Sequence, residues 1–189
     1  MTEVKEKANK DVCPPHNWKV SENEKEKGTD PDKAIADKKK ESQGYAEAEQ
    51  KRMEQAAKSG NVAKPKYAHP ARSLAFEAKA IEENQKKKKI KATEITYKCS
   101  LCPENFSVDI EFEDGQVAEA QSKGAETYRK EDEKGIQAAK LCDLQRQKNA
   151  EKGTNHQPMA KFDKDQSGDE AAAAEVAAKR GFQVPPEFL

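Results

Sequence analysis

The sequence predicts a mainly α-helical chain, extended and partly disordered, interrupted by one small β-hairpin. Three observations predict it. Ile, Leu, Val and Phe total 25 of the 189 residues, about 13%, and a share below about 20% lies on the disordered side of compositional expectation. Charged residues make up 37% of the chain, so much of any helical surface must face water or another molecule. Period-two apolar spacing, the mark of a half-buried strand, is confined to residues 93–112.

Residues 1–29 read as an extended N-terminal arm. Its apolar landmark is Cys13-Pro14-Pro15-His16-Asn17-Trp18, where two prolines exclude helix. The sole tryptophan, Trp18, is expected to be a partner-docking anchor, since an indole brings large contact area at low entropic cost. Residues 30–60 read as a charged helix: Thr29-Asp30-Pro31-Asp32 offers a cap, an early proline and a first-turn acid, and Ser59-Gly60-Asn61 stops it. Its large apolar residues are Ile35, Tyr45 and Met53, too few for a packing stripe, so it is expected to lie exposed or along a partner, with a soft point at Gly44. Residues 61–92 hold a short helix and a basic linker. Pro65 and Pro70 bracket a break, Leu74, Ala78 and Ile81 recur at i, i+4 and i+7 beside Phe76, and the pattern fades into Lys86-Lys87-Lys88-Lys89-Ile90-Lys91.

Residues 93–115 carry the predicted β-hairpin and the one expected core. Thr93, Ile95 and Tyr97 alternate with polar neighbours, then Phe106, Val108, Ile110 and Phe112 alternate up to Asp114-Gly115. Residues 116–152 read as a helical segment, over Val117–Tyr128 and Ile136–Ala150, with Ile136, Ala139, Cys142 and Leu144 as a partial face. Residues 153–189 read as a turn, an Ala-rich helix near 170–180 and an extended C-terminal tail. Phe182, Phe188 and Leu189 on that tail form a candidate partner-docking peptide.

The strongest motif is Tyr97-Lys98-Cys99-Ser100-Leu101-Cys102-Pro103-Glu104-Asn105-Phe106. Two cysteines separated by two residues, on the tight turn of a hairpin, place both sulfurs on one side at tetrahedral zinc spacing; the bland alternative is a pair of buried reduced thiols. The stretch Tyr97 to Phe112 resembles the first half of a C2H2 zinc finger, with an aromatic two residues before the first cysteine, Phe106 four after the second and Phe112 six further on. The resemblance implies a zinc-knuckle element and ends there. Gly115 stands where the first histidine ligand would fall, and no histidine occurs between His69 and His156, so finger-type DNA reading is not implied. The remaining ligands must come from elsewhere. Cys13 and His16 have the same spacing and would complete a Cys3His set with Cys99 and Cys102. The 82 intervening residues are little obstacle, because closure entropy grows only logarithmically with loop length. His69, Cys142 and His156 are rival donors.

A second motif, Asp163-Lys164-Asp165-Gln166-Ser167-Gly168, matches the opening of a calcium loop, but Ala174 occupies the place of the bidentate glutamate. A turn leading into a helix, capped by Ser167 or Asp169, accounts for the same residues. No phosphate-cradling glycine loop or nucleophile elbow is present, and the three histidines lie in separate polar segments, so the expectation is a non-enzymatic protein.

Basic and acidic residues number 35 each, which favours protein partners over bare nucleic acid, since counterion release needs a cationic surplus facing phosphate. The basic patch Lys86, Lys87, Lys88, Lys89 and Lys91 keeps nucleic acid open as a partner. No apolar run approaches the roughly 18 residues of a membrane span, and four cysteines, two of them as CxxC, suit reduced thiols or metal more than a disulfide framework; an intracellular, soluble protein is expected. The leading expectation is a structural accessory subunit that orders against a large macromolecular assembly. The alternatives are a zinc-containing, nucleic-acid-associated factor and a calcium-responsive protein.

Overall fold

The computed structural model describes residues 15–121 and 136–162, together with Gly181. In chain order these form β1 (Trp18–Val20), a 3-10 turn at Glu24–Glu26, β2 (Lys27–Thr29), α1 (Pro31–Lys58), α2 (Ala68–Gln85), β3 (Ile90–Cys99), β4 (Asn105–Phe112), β5 (Val117–Gln121), α3 (Ile136–Lys152) and β6 (Met159–Phe162).

Local chemistry accounts for the helix ends. The Asp30 carboxylate accepts hydrogen bonds from the Asp32 and Lys33 amides, Pro31 follows as the first helical residue, and the chain leaves α1 through Gly60 at φ 71°, a conformation that glycine adopts without strain. In α2 the proline at position 70 falls inside the first turn, where a missing N–H breaks no helical bond. Glu49 of α1 accepts the Lys66 and Tyr67 amides at 3.0 Å each, which fixes the turn between the two helices.

The strands build one six-stranded mixed sheet. β3 pairs antiparallel with β1 and β2 along one edge and with β4 on the other; β4 pairs antiparallel with β5, and β5 parallel with β6. Strict alternation would place Phe106, Val108, Ile110 and Phe112 on one face. The core divides them. Phe106 and Val108 pack with Leu141 and Leu144 of α3, whereas Ile110 and Phe112 pack with Ala34 of α1 and Ile81 of α2. The division falls opposite Glu94, whose φ of 53° interrupts the extended run between the pairs Thr93 with Ile110 and Ile95 with Val108. Adjacent residues of β5, Val117 and Ala118, separate between the same two clusters. Thus α3 covers one face and α1 with α2 the other.

This α/β architecture corrects the expectation of a mainly α, extended and partly disordered chain with a single hairpin. The hairpin is present, but it is the centre of a larger sheet. β1 and β2 come from the segment read as an extended arm, and β5 lies at the start of the segment read as helical. The physical reason is that Val117-Ala118-Glu119-Ala120-Gln121 has little β propensity of its own and becomes a strand by pairing on both sides. The scarcity of large apolar residues is met by small ones and by paired polar ones: Ala34, Ala78, Ala80, Ala118 and Ala160 are buried alongside Lys38, Glu111, Gln145 and Lys148. Lys38 donates to Glu77 and Glu94 at 2.7 Å each, tying α1 to α2 and β3. Burial works against its charge, but those two hydrogen bonds outweigh it and hold the ammonium pKa above the ordinary value.

Candidate metal centre

The centre forms where the N-terminal arm meets the tip of the β3–β4 hairpin. β1 lies antiparallel to the end of β3, with Trp18 opposite Cys99. The Ser100 amide donates to the Asn17 carbonyl at 2.9 Å, and Asn17 Nδ2 donates to Ser100 Oγ at 2.9 Å. This pairing carries His16, two residues upstream of Trp18, to the cysteine turn.

Trp18 is the pivot, and its position corrects the docking-anchor expectation. It is only 2% exposed, its ring stacks on His16 at 4.6 Å and meets Phe106 edge-on at 4.9 Å. Its indole Nε1–H donates to Asp143 at 3.2 Å. Gln147 of α3 grips its backbone from both sides, accepting from Trp18 N and donating to Trp18 O at 2.7 Å each. An apolar body with one satisfied N–H suits an interior, and α3 supplies the partner groups. Asn17, Asp143 and Gln147 carried no motif signal, because nothing local distinguishes a clamping polar side chain from a solvated one.

One ring nitrogen of His16 and the sulfurs of Cys99 and Cys102 all lie within 4.8 Å of one another, with Cys102 Sγ 3.4 Å from His16 Nδ1. In tetrahedral zinc, bonds of about 2.3 Å to sulfur and about 2.0 Å to nitrogen put donors roughly 3.5–3.8 Å apart, so the three side chains need only small rotations to share one ion. Among the described residues no other histidine, cysteine or carboxylate group reaches this arrangement. Cys99 is buried and Cys102 half-buried. Desolvation opposes ionisation of Cys99, but hydrogen bonds from the Leu101 amide, the His16 side chain, the Asn17 backbone and Cys102 outweigh it and bring the thiol down to about 6. A thiol held near ionisation is a ready ligand, since metal takes the thiolate.

Of the four residues read as ligands, the structure brings His16, Cys99 and Cys102 together; Cys13 lies outside the described residues. The rival donors stand elsewhere. His69 is exposed on α2, Cys142 is on α3, and His156 faces Asp114 at 3.6 Å. The basic patch spans the α2–β3 connection and the start of β3, with Lys86, Lys87, Lys89 and Lys91 exposed. Lys88 turns inward, donating to Asp114 at 2.7 Å and to Gln116 and lying 4.5 Å over the Phe112 ring. Phe182, Phe188, Leu189 and the calcium-like loop at Asp163 lie outside the described residues. No described helix is long and apolar enough to cross a membrane. The chain matches no family model, no curated protein and no solved structure.

Proposed function

We propose that this chain is a non-enzymatic structural protein, an accessory subunit of a larger assembly, in which one zinc ion fastens the N-terminal arm to the central hairpin. The observation that carries this reading is the convergence of His16 with Cys99 and Cys102 across 82 intervening residues. Two sulfurs and an imidazole suit zinc over the hard cations, which take oxygen. Cys13, three residues before His16, is the fourth donor in this reading. A closed Cys3His set leaves no position for water or substrate, which is the mark of a structural rather than a catalytic ion. The accessory role draws on balanced charge and on the long, charged outer surface of α1, a combination suited to protein partners.

Metal analysis of the purified protein tests the centre. About one zinc per chain is expected, lost in Cys99→Ser and Cys102→Ser and weakened in His16→Ala and Cys13→Ser. A metal-free protein, or zinc retained in Cys99→Ser, would overturn it. Affinity capture of the native protein under rising salt tests the partners: protein-subunit contacts should persist where phosphate contacts are lost.

A further inference from the structure

We infer that Cys99 and Cys102 form a peroxide-oxidisable dithiol, whose closure to a disulfide expels the metal; this rests on the metal reading above. The two sulfurs sit in one cluster, within 4.8 Å of each other and of the His16 ring nitrogen. They belong to the same tight loop, closed at its base by a 2.9 Å bond from the Cys99 amide to the Glu104 carbonyl. The loop tip is open to solvent: Leu101 is 59% exposed and Cys102 is half-buried, whereas Cys99 is 8% exposed. A small oxidant therefore meets Cys102 first, and Cys99 is placed to resolve the product.

The chemistry balances with hydrogen peroxide as the oxidant. The Cys102 thiolate attacks one peroxide oxygen, forming an S–O bond as the O–O bond breaks, and the departing hydroxide takes a proton to become water. The Cys99 thiolate then attacks the Cys102 sulfur; an S–S bond forms, the S–O bond breaks and a second hydroxide leaves as water. Two electrons pass from the sulfurs to the peroxide. A disulfide keeps no thiolate for zinc, so the ion loses two of its donors at once. The loss is local, because β1 stays clamped through Trp18 by Gln147, Asp143 and Phe106. The contact of His16 with the cysteine turn thus responds to oxidation while the sheet persists.

Zinc-loaded full-length protein titrated with hydrogen peroxide tests this, with zinc release followed by a chromogenic chelator, free thiols by alkylation and linkage by peptide mapping. Expected are about one zinc released per disulfide, a mass loss of two hydrogens, a Cys99–Cys102 crosslink, and reversal with metal re-uptake on adding a dithiol reductant and zinc. Cys142→Ser should behave like the parent, since Cys142 stands outside the donor cluster. Zinc retained with both thiols still alkylatable would overturn the inference and leave the metal reading intact, as would a crosslink through Cys13 or oxygen added to sulfur without a crosslink. Protein purified without zinc that still forms the reversible Cys99–Cys102 bond would do the opposite, upholding the dithiol and removing the metal reading.

Discussion

Glu111 and Lys148 show how a chain poor in large apolar residues closes its interior. Glu111 of β4 is 2% exposed; it pairs with Lys148 of α3 and accepts the Tyr97 hydroxyl at 3.0 Å. Lys148 also lies 5.0 Å over the Tyr97 ring. Removing one member of such a pair strands the other, at about 3–5 kcal/mol. Lys148→Met should therefore cost about that much by urea denaturation, and adding Glu111→Gln should recover most of it. A single-variant loss under about 1 kcal/mol would show that the pair does not hold α3 to the sheet. Asp109, across the sheet, sets a pH response. Burial raises its carboxyl most, the Ala120 amide opposes this by donating to it, and Glu77 and Glu94 push it further up against the pull of Lys38, leaving it at about 7 from an ordinary 3.8. The folded state thus holds this proton more tightly than the unfolded chain. Its contribution to stability is full below pH 3.8 and is lost as pH rises through about 7. Asp109→Asn keeps an acceptor for Ala120 and removes the charge. The stability of the variant minus that of the parent should grow between pH 4 and pH 7 and then level off; a flat difference across paired melts would reject the assignment.

At the scale of elements, short edge strands and helix caps are where single changes tell most. Gly28 in β2 sits at φ 107°, and a methyl group there would lie 2.9 Å from both Ala92 Cβ and Ile95 Cγ1. Gly28→Ala combines a left-handed backbone, costing roughly 1–2 kcal/mol, with overpacking of about 1–3 kcal/mol. It should lower the melting temperature and raise amide exchange at Lys27 and Thr29, which pair with Ile95 and Thr93; unchanged exchange would mean that β2 tolerates the methyl. Asp30→Ala removes the acceptor for two first-turn amides and should cost about 1 kcal/mol. Thermal melts read this directly, and a neutral result would show α1 to be held by its packing on α2 and the sheet rather than by its cap. The helices themselves were legible before the fold. Asp30-Pro31 and Gly60 bracket α1, and the spacing of Leu74, Ala78 and Ile81 marks α2, because caps and periodicity are local properties. β5 and β6 were not, since Ala-Glu-Ala and Met-Ala-Lys-Phe become strands only beside their partners.

For the whole molecule, a centre that joins residues 16 and 99 should link metal to global stability. An ion that binds the folded chain alone stabilises it in proportion to the logarithm of its concentration over its dissociation constant. Excess zinc should raise the melting temperature and a chelator lower it, and both responses should vanish in Cys99→Ser. A melting temperature indifferent to zinc in the parent would separate the centre from the fold. Composition, the bounds of α1, the hairpin and its CxxC pair follow from the sequence by itself, since each depends on neighbours within a few residues or on side-chain chemistry; that His16, rather than His69, Cys142 or His156, stands beside Cys99 and Cys102 was decided by the tertiary structure. That Trp18 is interior, that Lys38 and Lys148 are buried beside carboxylates, and that β1, β2, β5 and β6 extend the hairpin into a six-stranded sheet were decided by the tertiary structure. The reason is that a polar or small side chain carries no local sign of burial: whether it faces water or a partner depends on what distant segments bring against it.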